Sequence, residues 1–274
     1  MISIITAIHN QLEVNKIFYN SLKKSTFNSF ELIILDNNST DGSSDYFAGK
    51  SDVKVIKTGA NYNYPYCQNL GINHSKHEIL CFFNNDIVLT KDWDKNMLYI
   101  LKKDNRIQAL SFATNDHLEN KKAQKKINRK WKRIKYPLQF IGGNSSFTLK
   151  LMLYLMYGNI DKFAEKRFNK WKYQTIEGYS GSSIVLKKEI LDKIGLWDER
   201  IQAADSDIFN RLKKYSIKDK TVLPLQLSLG IYFHHFQRLT VKQSYPPFEN
   251  KEGMISFSEK WGEQTVQLRK DIVG

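Results

Sequence analysis

Three acidic clusters and a pair of histidines carry the chemistry open to this sequence. Asp36 ends the apolar run Phe30-Glu-Leu-Ile-Ile-Leu35. A carboxylate there either caps the turn that follows or accepts a hydrogen bond from a ring N–H of a nucleobase. Asn84-Asn85-Asp86 ends a second run, Leu80-Cys-Phe-Phe83. It is either an Asn/Asp turn or a site where one carboxylate holds a divalent cation whose other ligands are substrate phosphates. Asp205 and Asp207 follow Ala203-Ala204 and open a helix. Acids at a helix N-terminus are favoured by capping and the macrodipole, and one beside small residues could also serve as a general base to a bulky acceptor. His234-His235 follow a strand-like segment. Only one of two adjacent strand residues can face a given side, and a single His is more often a packed or surface residue than a ligand, so the value of this pair depends on the acidic clusters.

The elements that must position these groups alternate. Strands are expected at 2–8, 30–35, 53–57, 78–83 and 107–113, with helices at 13–24, 41–50, 66–75 and 92–103 between them. Strands that are apolar throughout and separated by helices predict a mostly parallel α/β sheet covered on both faces, with ligands beyond the carboxyl ends of its strands. Asp36 and Asp86 fall at such ends. The alternation breaks over 115–172, where the chain is polar, basic and aromatic-rich, with one expected helix at 147–157. It resumes near Tyr179 with helices at 188–194 and 205–215 and a strand at 220–229. A linker is expected around Ser244-Tyr-Pro-Pro247, ahead of an amphipathic C-terminal helix.

The 274 residues are 41% hydrophobic and 26% charged, which excludes a disordered chain. Cys67 and Cys81 form no CxxC pair, so neither a disulfide scaffold nor a zinc ribbon is expected. No apolar run reaches the roughly 20 residues that span a bilayer, and Met1–Asn10 lacks the basic start of a signal peptide. A cytoplasmic protein is expected, peripheral on the inner face of the membrane. The net charge of +14 calls for an anionic partner. Residues 119–135 supply +8 of it, from seven Lys and two Arg against Glu119. Trp131, Tyr136 and Phe140 interleave with this segment, which suits a solvated face, an anionic membrane surface or a polyanionic acceptor. Charge confined to one short segment argues against a protein that wraps nucleic acid. GxGxxG after the first strand, GxxxxGK[ST], GxSxG and HExxH are all absent.

Taken in order, the motifs resemble the family 2 glycosyltransferases of GT-A fold, which are inverting enzymes that use nucleotide-activated sugars. Ile2-Ser-Ile-Ile-Thr-Ala-Ile-His-Asn10 looks like the opening strand, and Phe30 through Gly42 like the nucleotide-binding signature. Asn61 and Asn69-Leu-Gly71 resemble the stretch before the metal motif, and Phe83-Asn-Asn-Asp-Ile-Val-Leu-Thr90 the DXD-type segment. Ser180-Gly-Ser-Ser-Ile-Val and Gly195-Leu-Trp-Asp-Glu-Arg200 match the acceptor side. Asp205-Ser-Asp207 stands at the ED-x-D position, and Ser258-Glu-Lys-Trp-Gly262 resembles a C-terminal element.

The resemblance implies a single Rossmann-like sheet, with residues 1–112 as the nucleotide-sugar half and 113–177 as a basic helical insertion on the acceptor or membrane side. Residues 178–243 would form the catalytic half and 244–274 a helical tail. It implies nucleotide contacts from Ala7, His9, Asn10, Asp36, Asn38, Asn61, Asn69 and Asn85. Mn²⁺ or Mg²⁺ would be held by Asp86 with His234 or His235. Asn84 replaces the first acid of the metal motif, which predicts moderate metal affinity. Asp205 matches the general base, while Ala204 stands where the family has Glu, so Asp207 or Asp198 are substitutes for the role. Gly181, Trp197, Asp198 and Asp207 would lie toward the acceptor. The implied activity is transfer from a UDP- or dTDP-sugar to a saccharide or lipid-linked acceptor, in surface polysaccharide synthesis. A GT-A-like chain without catalysis and a polyanion-binding module are the alternatives.

Overall fold

All but one residue of β1 (Ile2–Ile8) is buried, Ser3 and Thr6 among them. A strand covered on both faces is what a continuous apolar run forms. The computed structural model describes residues 1–237, 239 and 247–268; part of the expected linker, 244–246, lies outside them. After β1 come α1 (Leu12–Ser25), β2 (Phe30–Asp36), α2 (Ser43–Ala48), β3 (Val53–Lys57), α3 (Tyr64–Asn73), β4 (Ile79–Phe83), β5 (Ile87–Val88), α4 (Trp93–Lys103) and β6 (Ala109–Thr114). Three helices follow, α5 (Lys121–Gly142), α6 (Ser146–Tyr157) and α7 (Ile160–Trp171). The chain then forms β7 (Thr175–Glu177), β8 (Ser183–Lys187), α8 (Lys188–Ile194), α9 (Ala204–Lys218) and β9 (Gln226–His235). It ends in α10 (Phe257–Trp261) and α11 (Gln264–Leu268).

The sheet runs β3-β2-β1-β4-β8-β6-β9-β5, with β7 also on β9. β3, β2, β1 and β4 are mutually parallel, as expected. Beyond β4 the sheet is mixed. The chain returns to it at the carboxyl end of β4, pairing Ser183 with Phe83, so β8 runs antiparallel to both β4 and β6. β6 and β9 are parallel to each other, and β6 has the sense of β4. The carboxyl ends of β1, β2, β4, β6 and β9 therefore share one edge with the start of β8, and the candidate site lies along it.

Packing fixes that edge. Phe83, Trp93, Phe112 and Phe233 meet edge to face, with centroids 5.0–6.2 Å apart, and each such pair adds about 0.5–1.5 kcal/mol beyond burial. α3 is capped by the Asn63 carboxamide, which accepts from Tyr66 N at 3.1 Å. It lies so close to the sheet that a Cβ at Gly71 would overlap the Ile5 side chain.

The second half departs from the expected strand positions. Asp219 accepts from Thr221 N and Oγ1 and forms a turn, which delays the last strand to Gln226. That strand carries a bulge: Phe112 pairs with Ser228 but Ala113 with Tyr232, so three extra residues of β9 oppose one step of β6. In the basic insertion, α5 turns Ile127, Trp131, Ile134 and Leu138 inward against Leu149, Met152 and Met156 of α6. α7, which the sequence reading did not anticipate, packs behind β9.

Candidate active site

At the β1–β2 end, amide side chains bind loops to one another. Asn10 and Gln11 both have left-handed backbones, at φ 57° and 69°, as does Asn38 at 65°. Asn10 N donates to Ser39 Oγ at 2.9 Å, and its Oδ1 accepts from Thr40 N at 2.7 Å. Asp36 is buried and receives Ser39 N at 3.0 Å, whereas Asn38 is exposed. His9 Nδ1 lies 2.6 Å from Asn37 O. The Asn37 carboxamide donates to Asn61 Oδ1 and Tyr62 O and accepts from Tyr62 N, so the loop after β3 is fastened to β2. Asn85 donates to Asn15 Oδ1 at 2.7 Å, and Asn15 in turn donates to Asn10 O and Ser43 Oγ. Ala7, half-buried, sits beside Leu35 on the last turn of this edge. Asn69 stands elsewhere. It donates to Trp197 O and Glu199 Oε1 and accepts from Trp197 N, so it clamps the segment before α9.

At the other end, β5 and β9 pair antiparallel, Ile87 against His235. This sets Asp86 Oδ1 3.2 Å from His235 Nε2. The opposite ring nitrogen, Nδ1, lies 3.1 Å from Asp116 Oδ2, and Thr114 Oγ1 donates to the other Asp116 oxygen. Asn115 brackets the His235 main chain through both N and O. Burial opposes charge on His235, but the two carboxylates lift its pKa to about 10. Burial likewise opposes charge on Asp116, yet His235 and His117 hold its pKa well below the usual range.

Strand alternation sends His234 the other way. It is fully buried beside Trp131, at 4.4 Å between centroids, and Phe236, with Nδ1 2.9 Å from Tyr157 Oη. Burial pushes its pKa well down. Of the two histidines, His235 is the one beside Asp86.

Among the described residues, no three His, Cys, Asp or Glu side chains converge as a complete metal cage. The donor set suits a divalent transition ion such as Mn²⁺: one carboxylate oxygen and one imidazole nitrogen, with the remaining positions left to phosphate oxygens. Asp116 on the far ring nitrogen is the partner that orients a ligating His.

Asp205 opens α9 beneath Gly181, where a Cβ would overlap its Oδ2. Its Oδ1 is buried with no hydrogen-bond partner among the described residues, as is the hydroxyl of Tyr64, whose pKa is raised by burial and by the Asp205 charge. Burial raises Asp205 from 3.8 to about 7, against the pull of His117 and His235. The neighbouring acids are committed elsewhere. Asp207 accepts from Trp261 Nε1 and Arg211 Nε, both at 2.8 Å, and pairs with Lys260 at 2.7 Å. Asp198 is paired with Arg200 and Lys260, which with a hydrogen bond from each hold its pKa far down. Trp197 is buried edge-on to Tyr64 and Phe82. Asp198 and Asp207 thus latch the 258–262 element onto α9.

Asp116 and His117 were missed in the sequence. Their signal was the one used for Asp36 and Asp86, an acid just past the carboxyl end of a strand. A cleft of about 550 Å³ runs from Asp116, His117 and His235 along α5 past Gln124, Asn128 and Lys132.

This fold, with its site along the carboxyl edge, is the α/β architecture of the GT-A glycosyltransferases. The chain belongs to glycosyl transferase family 2, whose model matches residues 3–195. Its structure is similar to that of mannosyltransferase PcManGT from Pyrobaculum calidifontis, solved with GDP-Man and Mn²⁺ (TM-score 0.56, 13% identity, 86% of this chain and 57% of that one). It is also similar to residues 1–349 of S. aureus TarS (0.53, 16%, 85% and 60%), solved as well with UDP, and to GalNAc-T7 with UDP, GalNAc and Mn²⁺ (0.55, 13%, 90% and 46%). At these identities the likeness shows the fold, and the chain spans about half to three fifths of those proteins. An uncharacterized protein, y4gI of Sinorhizobium fredii, is 26% identical over 110 residues, 38% of this chain and 12% of that protein. No helix among the described residues is long and apolar enough to cross a membrane.

Proposed function

We propose that this chain transfers a sugar, with inversion, from a UDP- or dTDP-sugar to a hydroxyl of a saccharide or lipid-linked saccharide, in the assembly of a surface polysaccharide. The observation that carries this reading is Asp205: a carboxylate with an unpartnered oxygen and a pKa near 7, seated under a glycine at the edge where Asp86, Asp116 and His235 meet. Family membership and the GDP-Man and UDP complexes of the structural neighbours support a nucleoside-diphosphate sugar as donor.

Asp36 and the Asn10, Asn37 and Asn61 loops would seat the nucleoside. Asp86 and His235 would hold Mn²⁺ or Mg²⁺, which when bound neutralises the charge growing on the departing diphosphate. Asp116 keeps the His235 ring oriented with Nε2 toward Asp86. Asp205 takes the proton from the acceptor hydroxyl as that oxygen attacks the anomeric carbon from the face opposite the diphosphate. A base with a pKa near the working pH combines availability with proton affinity, and placing it is worth about 10²–10⁴-fold. Because Asp205 must be ionised to act, the rate should rise with pH through about 7.

A thermal-shift screen of nucleotides with and without Mn²⁺ tests the donor site. A metal-dependent shift with UDP or dTDP that disappears in Asp86→Ala is the expected result. A shift indifferent to both metal and Asp86 would remove the metal from the reading.

A further inference from the structure

The α5–α6 hairpin carries a surface that this chemistry leaves unused. Residues 120–160 contain ten Lys and Arg and no acid, against a net charge of +14 for the whole chain. With the inner face of α5 committed to α6, Lys121, Lys122, Lys125, Lys126, Arg129 and Arg133 are all exposed. At 3.6 residues per turn they fall within an arc of about 140°, and Tyr136 and Phe140 continue the same arc toward the turn. There the charge gives way to bare apolar groups: Phe140 is 93% exposed, Ile141 82% and Phe147, at the start of α6, 75%. Trp131, grouped with these aromatics on spacing alone, turns inward and takes no part.

We propose that the outer face of α5 and the α5–α6 turn dock the protein on an anionic lipid bilayer, with the basic arc against the headgroups and Phe140, Ile141 and Phe147 at the acyl boundary. The arrangement is that of an interfacial helix, basic on one side with apolar groups free to enter the membrane. A phosphate-rich polymer such as RNA would satisfy the lysines but would leave three large apolar side chains in water. The same helix walls the cleft through Gln124, Asn128 and Lys132. Combined with the function proposed above, docking sets that cleft beside lipid-borne acceptors, although the docking itself does not depend on that reading.

The test is co-sedimentation of the full chain with vesicles of phosphatidylcholine alone and of phosphatidylcholine mixed with phosphatidylglycerol. Pelleting is expected only with the mixed vesicles. It should fall at least about tenfold when Lys121, Lys122, Lys125 and Lys126 are all changed to Gln. The double variant Phe140→Ser/Ile141→Ser, which keeps every charge, should also pellet less. Both variants alter exposed side chains, and an unchanged melting temperature would confirm that they fold. Failure of the wild type to pellet with mixed vesicles overturns the proposal. So does wild-type pelleting by the Phe140→Ser/Ile141→Ser variant, which would mark the face as a site for soluble polyanions. The Mn²⁺-dependent thermal shift with UDP or dTDP separates the two readings: pelleting without that shift leaves docking standing and removes the donor site, and the shift without pelleting does the reverse.

Discussion

The two ends of the carboxyl edge are built on opposite principles. At the β1–β2 end, Asp36 and His9 sit in a framework of neutral amides joined to one another and to the main chain: Asn10, Asn15, Asn37 and Asn61 span four segments. At the β5–β6–β9 end the groups are ionisable and held away from their ordinary pKa values, His235 upward, Asp116 downward and Asp205 up to about 7. A satisfied amide network holds its shape without depending on pH, which suits recognition. Displaced pKa values cluster where burial and neighbouring charge set acid and base roles. The same contrast recurs within one helical turn, where Asp207 is fully bonded and Asp205 is not.

Four substitutions probe that contrast. Asp205→Asn should lower kcat by about 10²–10⁴-fold. It should also raise the melting temperature above pH 7. A carboxyl whose folded pKa is raised costs stability as pH climbs from its unfolded value of 3.8 through about 7, and the amide escapes this cost, which is about 4 kcal/mol. Lower stability at pH 8 would mean that Asp205 is a structural acid. Asp207→Ala should do the opposite, destabilising by about 3–5 kcal/mol because Lys260, Arg211 and Trp261 lose a shared partner. Denaturant melts read this directly, with kcat retained in the folded fraction. Asp116→Asn should weaken Mn²⁺ binding about 10–100-fold in calorimetry and leave nucleotide affinity without metal unchanged. The smallest effect is expected for Asn37→Ala, about 1–2 kcal/mol in stability and a raised donor KM at constant kcat, since it loosens a loop and touches no displaced charge. A kcat loss there would erase the distinction between the two ends.

Legibility in the sequence followed the same divide. Local signals marked β1, β2 and β4 and the acids beyond them, because each strand is one apolar run closed by a turn. Asp205 was legible through its motif, but its difference from Asp207 was not: that depends on Trp261 and Lys260, more than fifty residues away, reaching one carboxylate and not the other. Asp116 went unread because its role arises only when β9 comes alongside β6. The antiparallel entry of β8 and the place of α7 likewise depend on long-range packing, which periodicity does not encode.

The bulge in β9 has a consequence for how this molecule could change. Its three inserted residues, Leu229 to Ile231, set the phase of everything downstream on that strand. Removing any one of them while the upstream register holds would move the strand on by one position, setting His235 in the slot against the indole of Trp131, Phe236 in the slot beside Asp86 and His234 in the slot of Phe233. A single-codon deletion some distance from the cleft would thus take the imidazole away from Asp86, although both histidines remain in the gene.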